Sequence, residues 1–167
     1  MRHIISILLQ NEAGALARVS GMFSARGYNI ESLSVATTND PAVSRLTLVT
    51  LGSDAVIDQI IKQTRKLIDI LEITDLSRTD HIECELLMIK IEMSQATAQQ
   101  VIDCVRKHRV TVLDGSDNTR MLQLAGTGAE VDAFIAEIAT ISTILELVRS
   151  GVAALTRGQE VLAVPQH

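Results

Sequence analysis

Aromatic residues are almost missing from this sequence: Phe23, Tyr28 and Phe134 make up the whole complement, and there is no tryptophan. A buried core must therefore come from aliphatic side chains, which suit sheets covered by helices. The same scarcity excludes an RNA-recognition module, whose central strands carry rings that stack on bases. Positive charge is also short. With 15 Lys and Arg against 20 Asp and Glu, the net charge is −5, whereas nucleic-acid binding calls for a basic stripe. No apolar run approaches the ~18 residues of a membrane span. Met1-Arg2-His3 leads straight into an alternating strand, without a signal peptide. Cysteine is limited to Cys84 and Cys104, with no CxxC pairing. They read as small buried hydrophobes in a reducing compartment rather than a disulfide or metal site. The expected location is the cytoplasm, with no nucleic-acid and no membrane partner.

Catalytic groupings are missing too. His3 and His81 fall at strand starts, and His108 at a helix end, where a cation favours the helix dipole. None lies near a Ser or Cys in a nucleophile motif, and no set of His, Cys and carboxylates converges at metal-ligand spacing. Glu83 and Glu85 share a strand face and read as solvated carboxylates, not an acid–base pair. Gly126-Thr127-Gly128 opens a helix but lacks the Lys-Ser/Thr ending of a phosphate loop. No catalytic residue and no bound metal are expected.

What the sequence does contain is one pattern used twice. Residues 3–10 form an aliphatic strand. Leu16, Val19 and Phe23 then recur at helical spacing over 14–26, and Arg26-Gly27 ends that helix. Strands follow at 28–36 and 43–51, a helix from 53 to about 66, and a strand at 67–76. The order strand, helix, strand, strand, helix, strand recurs at 82–93, 94–109, 110–115, 119–127, 128–141 and 143–151, with Ser94 as a cap candidate. The fold class is therefore α+β, two tandem ferredoxin-like βαββαβ units. The domains are residues 1–76 and 82–167 with a short polar linker at 77–81. Residues 152–167 are weakly periodic and read as a partly mobile tail. Two helices cover one face of each sheet, yet Ile4 and Leu8 make the other face of the first strand apolar as well. A second copy is the expected cover, giving a homodimer.

The segment Asn11-Glu12-Ala13-Gly14-Ala15 joins strand to helix with nothing in it that could attack a substrate. Free amides at a helix start suit a small anion such as a carboxylate. Gly14 permits close approach, Asn11 offers an amide, and Ala13, Ala15 and Leu16 supply an apolar wall. That combination describes a hydrophobic amino acid. The spacing also allows a plainer reading, in which Gly14 eases the turn and Asn11 caps the helix.

The stretch "NEAGALARVSGMFSARGYNIESL" (11–33), with "SRLTLVT", "HIECELLMIKIEM", "LQLAGTGAEVDAFI" and "ELVRSGVAALTRG", closely resembles the small regulatory subunits of acetolactate synthase. These begin with an ACT domain, a ligand-sensing form of the βαββαβ unit. The resemblance implies a non-catalytic chain that binds and stimulates a large catalytic subunit and confers feedback inhibition, typically by valine, in branched-chain amino acid synthesis. Thiamine diphosphate, magnesium and FAD are then expected in the catalytic subunit, not here. It also implies an effector pocket shared by two ACT domains of a dimer. Asn11, Ala13, Gly14, Ala15 and Leu16 of one chain would face Asn29 and Ile30 of the other. The alternative is a free-standing tandem ACT sensor of an amino acid acting on another target.

Overall fold

The computed structural model describes residues 1–165 and divides into two compact units: residues 1–82 with the segment from Val152 onward, and Glu83–Gly151. The first unit contains β1 (Arg2–Gln10), α1 (Ala15–Ala25), β2 (Ser32–Thr37), β3 (Val43–Leu51), α2 (Asp54–Thr64) and β4 (Ile70–Asp75). Its antiparallel sheet runs β2-β3-β1-β4. β1 pairs along its whole length with β3, from Arg2 opposite Leu51 to Gln10 opposite Val43. The pleat sends Ile5, Ile7 and Leu9 to the helix face, where Val19 and Phe23 of α1 and Ile57 and Ile60 of α2 close over them. Ser53 caps α2 by accepting from the Val56 amide.

The second strand begins later than the sequence reading puts it. Gly27 adopts a left-handed φ of 68°, and the Tyr28 amide turns back to the Phe23 carbonyl at 2.9 Å. This helix-ending turn holds residues 28–30 out of the sheet. The last strand of the unit is shorter for a related reason. The Leu67 and Ile70 amides are taken by Thr64 and Leu67 in a local turn, which delays β4 to Ile70.

The larger correction concerns the tail and the first sheet's other face. The sequence reading assigns residues 152–167 to the second domain as a weakly ordered end. Residues from Val152 group with the first unit, and β9 (Ala153–Thr156) there pairs with the strand that begins at His81. Val152 and Ala154 are only 5% and 6% exposed and cluster with Ile4, Val49 and Leu76. Arg45 Nη2 also donates to the Ala154 carbonyl at 3.2 Å. So this chain covers part of the face that the sequence reading leaves to a second copy. Leu76, the last residue of the predicted first domain, is 1% exposed and opens a 3₁₀ turn, Leu76–Arg78, that leads into the polar linker. Gln166 and His167 lie outside the described residues.

The second unit repeats the plan with β5 (His81–Glu92, its first two residues in the first unit), α3 (Ala98–Lys107), β6 (Thr111–Gly115), β7 (Thr119–Gly126), α4 (Gly128–Ile141) and β8 (Ile144–Arg149). These strands are ordered β6-β7-β5-β8. Leu87, Ile89, Ile91, Leu122 and Leu124 meet Val101 of α3 and Val131, Phe134 and Ile138 of α4. Thr127 and Glu130 close a reciprocal capping box at the start of α4. Ser94 does not cap α3. It accepts from the Thr97 amide one turn earlier, and α3 starts after Thr97. Glu85 is buried and its two carboxylate oxygens accept from Nε and Nη2 of Arg149, so it is a structural ion pair rather than a solvated carboxylate. Cys104 is buried as expected, whereas Cys84 is exposed. Among the described residues, no helix is long and apolar enough to cross a membrane.

Candidate functional site

The turn after β1 is pinned on both sides. The Gln10 amide donates to the Asp69 carbonyl and the Asn11 amide to the Ala42 carbonyl, each at 2.8 Å. The Asn11 side chain continues the second tie: Nδ2 donates to the Pro41 carbonyl at 2.9 Å, and Oδ1 accepts from Ser44 Oγ at 3.1 Å. Asn11 therefore anchors the turn to the β2–β3 hairpin and does not cap α1. Gly14 occupies the cap position with φ 88° and no side-chain cap bond. A left-handed φ of this size suits glycine. The Ala15 amide is taken by the Glu12 carbonyl and the Arg18 amide by the Gly14 carbonyl. Leu16 and Ala17 are then the first-turn donors without an intrahelical acceptor.

A cation stands beside Gly14. A Cβ on Gly14 would lie 2.9 Å from Arg18 Nη1. Arg18 is steered there by Asp69, whose Oδ1 accepts from Nη2 at 2.8 Å while Oδ2 accepts from Nε. The Asp69 side chain is buried, whereas that of Arg18 is 46% exposed. Asp69 thus holds the Nε–Nη2 edge of the guanidinium, which leaves Nη1 beside the glycine. The sequence reading passes over Arg18. Its position four residues after Gly14 puts it on the same helix face, but its partner is 51 positions away, in the loop before β4.

Of the apolar wall, Ala13 and Leu16 are exposed, Leu16 at 37%, while Ala15 is turned into the core at 2%. Asn29 is exposed and Ile30 is partly buried against the first core. These two residues do not meet the turn within one chain. The Asn29 carbonyl accepts from Thr50 Oγ1 at 2.7 Å, and Thr50 sits opposite His3, at the start of β1. The turn follows the other end of that strand. At about 3.3 Å per residue, β1 separates the two groups by roughly 25 Å.

Hydrogen bonds from Arg18 hold the Asp69 carboxyl below the usual carboxylate range, despite its burial, and raise the Arg18 guanidinium in turn. Asp69 thus gives up its proton more readily folded than unfolded. The pair's contribution is complete above the ordinary carboxylate value near 3.9 and is lost as pH falls through the lowered folded value. Asp69→Asn should therefore lower the unfolding midpoint at neutral pH, with the gap from the natural protein closing below pH ~4. Thermal melts across pH 2 to 7, on the order of the carboxylate titration range, test this; a gap that widens in acid contradicts it.

Residues 5–72 match the family described as AHAS small subunit-like ACT domain, and residues 84–158 match the small subunit of acetolactate synthase. The chain is 44% identical over 162 residues to the acetolactate synthase isozyme 3 small subunit of Escherichia coli (strain K12), spanning 97% of this chain and 99% of that one. It is 35% identical over 160 residues to the probable acetolactate synthase small subunit of Archaeoglobus fulgidus, spanning 96% and 99%. The crystal structure of the acetolactate synthase small subunit from Thermotoga maritima aligns with a TM-score of 0.87 at 29% identity, covering 96% of this chain and 99% of that chain. The chain thus belongs to the acetolactate synthase small-subunit family, with an ACT domain as its first unit.

Proposed function

We propose that this chain is the non-catalytic regulatory subunit of an acetolactate synthase. It stimulates the large, thiamine-diphosphate-dependent subunit and transmits feedback inhibition by valine. The observation that carries the effector reading is the uncapped start of α1. There the Leu16 and Ala17 amides have no intrahelical acceptor, and Arg18 Nη1 stands beside Gly14. A valine carboxylate would accept from those donors, where the positive end of the helix dipole adds to the attraction. Its isopropyl group would rest on Ala13 and Leu16. A second copy would contribute Asn29 and Ile30, since no single chain brings them to the turn. Occupancy of a pocket shared in this way is coupled to the arrangement of the homodimer, and so to the state presented to the catalytic subunit. Thiamine diphosphate, magnesium and FAD belong to that partner on this reading. The test is acetolactate formation by the catalytic subunit, with and without this chain, across a valine titration. Higher turnover with the chain, falling as valine is added, is expected. Unchanged turnover rejects the regulatory role, and stimulation indifferent to valine rejects the effector.

A further inference from the structure

Helices α3 and α4 bring together three side chains that the effector reading does not use. Cys104 lies one turn before His108, the residue that ends α3, and Glu137 faces both from α4. Their Sγ, imidazole nitrogen and carboxylate oxygen all fall within 4.8 Å of one another. His108 Nε2 is 2.8 Å from Glu137 Oε2. Burial is graded across the group: Cys104 is buried, the His108 side chain is 14% exposed and Glu137 32%. Phe134 packs edge-on against the His108 ring, with centroids 5.4 Å apart, which restricts how the imidazole can turn. In the sequence these ligands do not stand together. The first two are an ordinary i, i+4 pair, and the third is 29 positions further on, on another helix.

We propose that Cys104, His108 and Glu137 form a binding site for a zinc-class divalent cation, with solvent as the fourth ligand on the Glu137 side. Thiolate, imidazole and carboxylate are the donors zinc takes, at 2.0 to about 2.3 Å. A tetrahedral ion with such bonds keeps its donors roughly 3.5 Å apart, and the present spread brackets that value. Rotation of side chains on two fixed helices closes the site. Magnesium and calcium fit poorly, because both want a shell of oxygens and the buried donor is sulfur. Charge balances: the thiol proton leaves to solvent, and the thiolate and carboxylate neutralise the dication. Lys107 Nζ is the competitor already present, 2.7 Å from the same Glu137 oxygen. Its side chain is 65% exposed and free to swing into water when a metal arrives.

Cobalt(II) is the probe, because a cysteine ligand gives it a thiolate charge-transfer band and tetrahedral geometry gives it intense visible bands. The chelator-treated full chain should bind a single equivalent with both signatures, and zinc should displace it. Cys104→Ser should abolish the charge-transfer band. His108→Gln and Glu137→Gln should weaken zinc by roughly tenfold or more, the scale reached even by partners one layer behind metal ligands. Cys84→Ser and Lys107→Ala alter exposed groups and should keep the cobalt spectrum. No thiolate band in the natural protein, its persistence in a folded Cys104→Ser chain, or its loss in Cys84→Ser would each overturn the proposal. The first result would leave His108–Glu137–Lys107 as a helix-to-helix ion pair only.

Discussion

A folded Gly14→Asp chain should still stimulate the catalytic subunit and should lose valine sensitivity by tenfold or far more. Two physical effects act together. The new carboxylate would sit where the proposed effector places its own, and like charges ~4 Å apart cost about 1 kcal/mol in water and about 4 at an effective dielectric of 20. It also reaches Arg18 Nη1, only 2.9 Å from a Cβ at this position, and so occupies the countercharge the ligand needs. Each 1.4 kcal/mol is roughly a factor of ten in affinity. The φ of 88° adds strain, about 1–2 kcal/mol for a side chain in the left-handed region, which Asp tolerates better than most. Gly14→Ala carries the strain without the charge. It should keep more valine sensitivity than Gly14→Asp, and the difference isolates the electrostatic part. Stimulation and valine inhibition measured on one preparation of each variant decide the matter. A folded Gly14→Asp protein with unchanged valine response removes the turn from the effector site.

The parts of this protein legible in its sequence are those whose pattern is local. Leu16, Val19 and Phe23 announce α1 by spacing alone, and Val43–Leu51 reads as the strand it forms. The repeated order of elements then follows. What the sequence hides is pairing across distance. Ile4 and Leu8 show that the outer face of β1 is apolar. They do not show that Val152 and Ala154 are what meet Ile4 there, because β9 is too short to announce its period. Asn11 reads as a ligand amide or a helix cap until its contacts to Pro41 and Ser44 are seen. Arg18 carries no signal in the sequence that marks it out, and only Asp69 orients it. The Cys104–His108–Glu137 group fails to register for the same reason. Side-chain chemistry at these places depends on a partner that the local pattern does not contain.

The separation of Asn29 from the turn leads to the most discriminating result. If the pocket is shared as proposed, it needs one chain's turn and another chain's Asn29, so a homodimer would hold two pockets, each drawing one half from each chain. In Gly14→Asp homodimers both turns are defective. In Asn29→Ala homodimers both turns are intact and both facing halves are defective, and the fold loses only an exposed side chain bonded to Glu31. Each variant alone should therefore resist valine. In a mixed dimer of the two, one pocket combines both defects, while the other combines the natural turn of the Asn29→Ala chain with the natural Asn29 of the Gly14→Asp chain. Random mixing makes roughly half the dimers mixed, each with one working pocket. Coexpressing the two resistant chains should therefore restore part of the inhibition that neither supports alone. The readout is catalytic-subunit activity against valine concentration for each variant and for the coexpressed pair. A pocket built within one chain predicts no recovery on mixing, because every chain then carries its own defect.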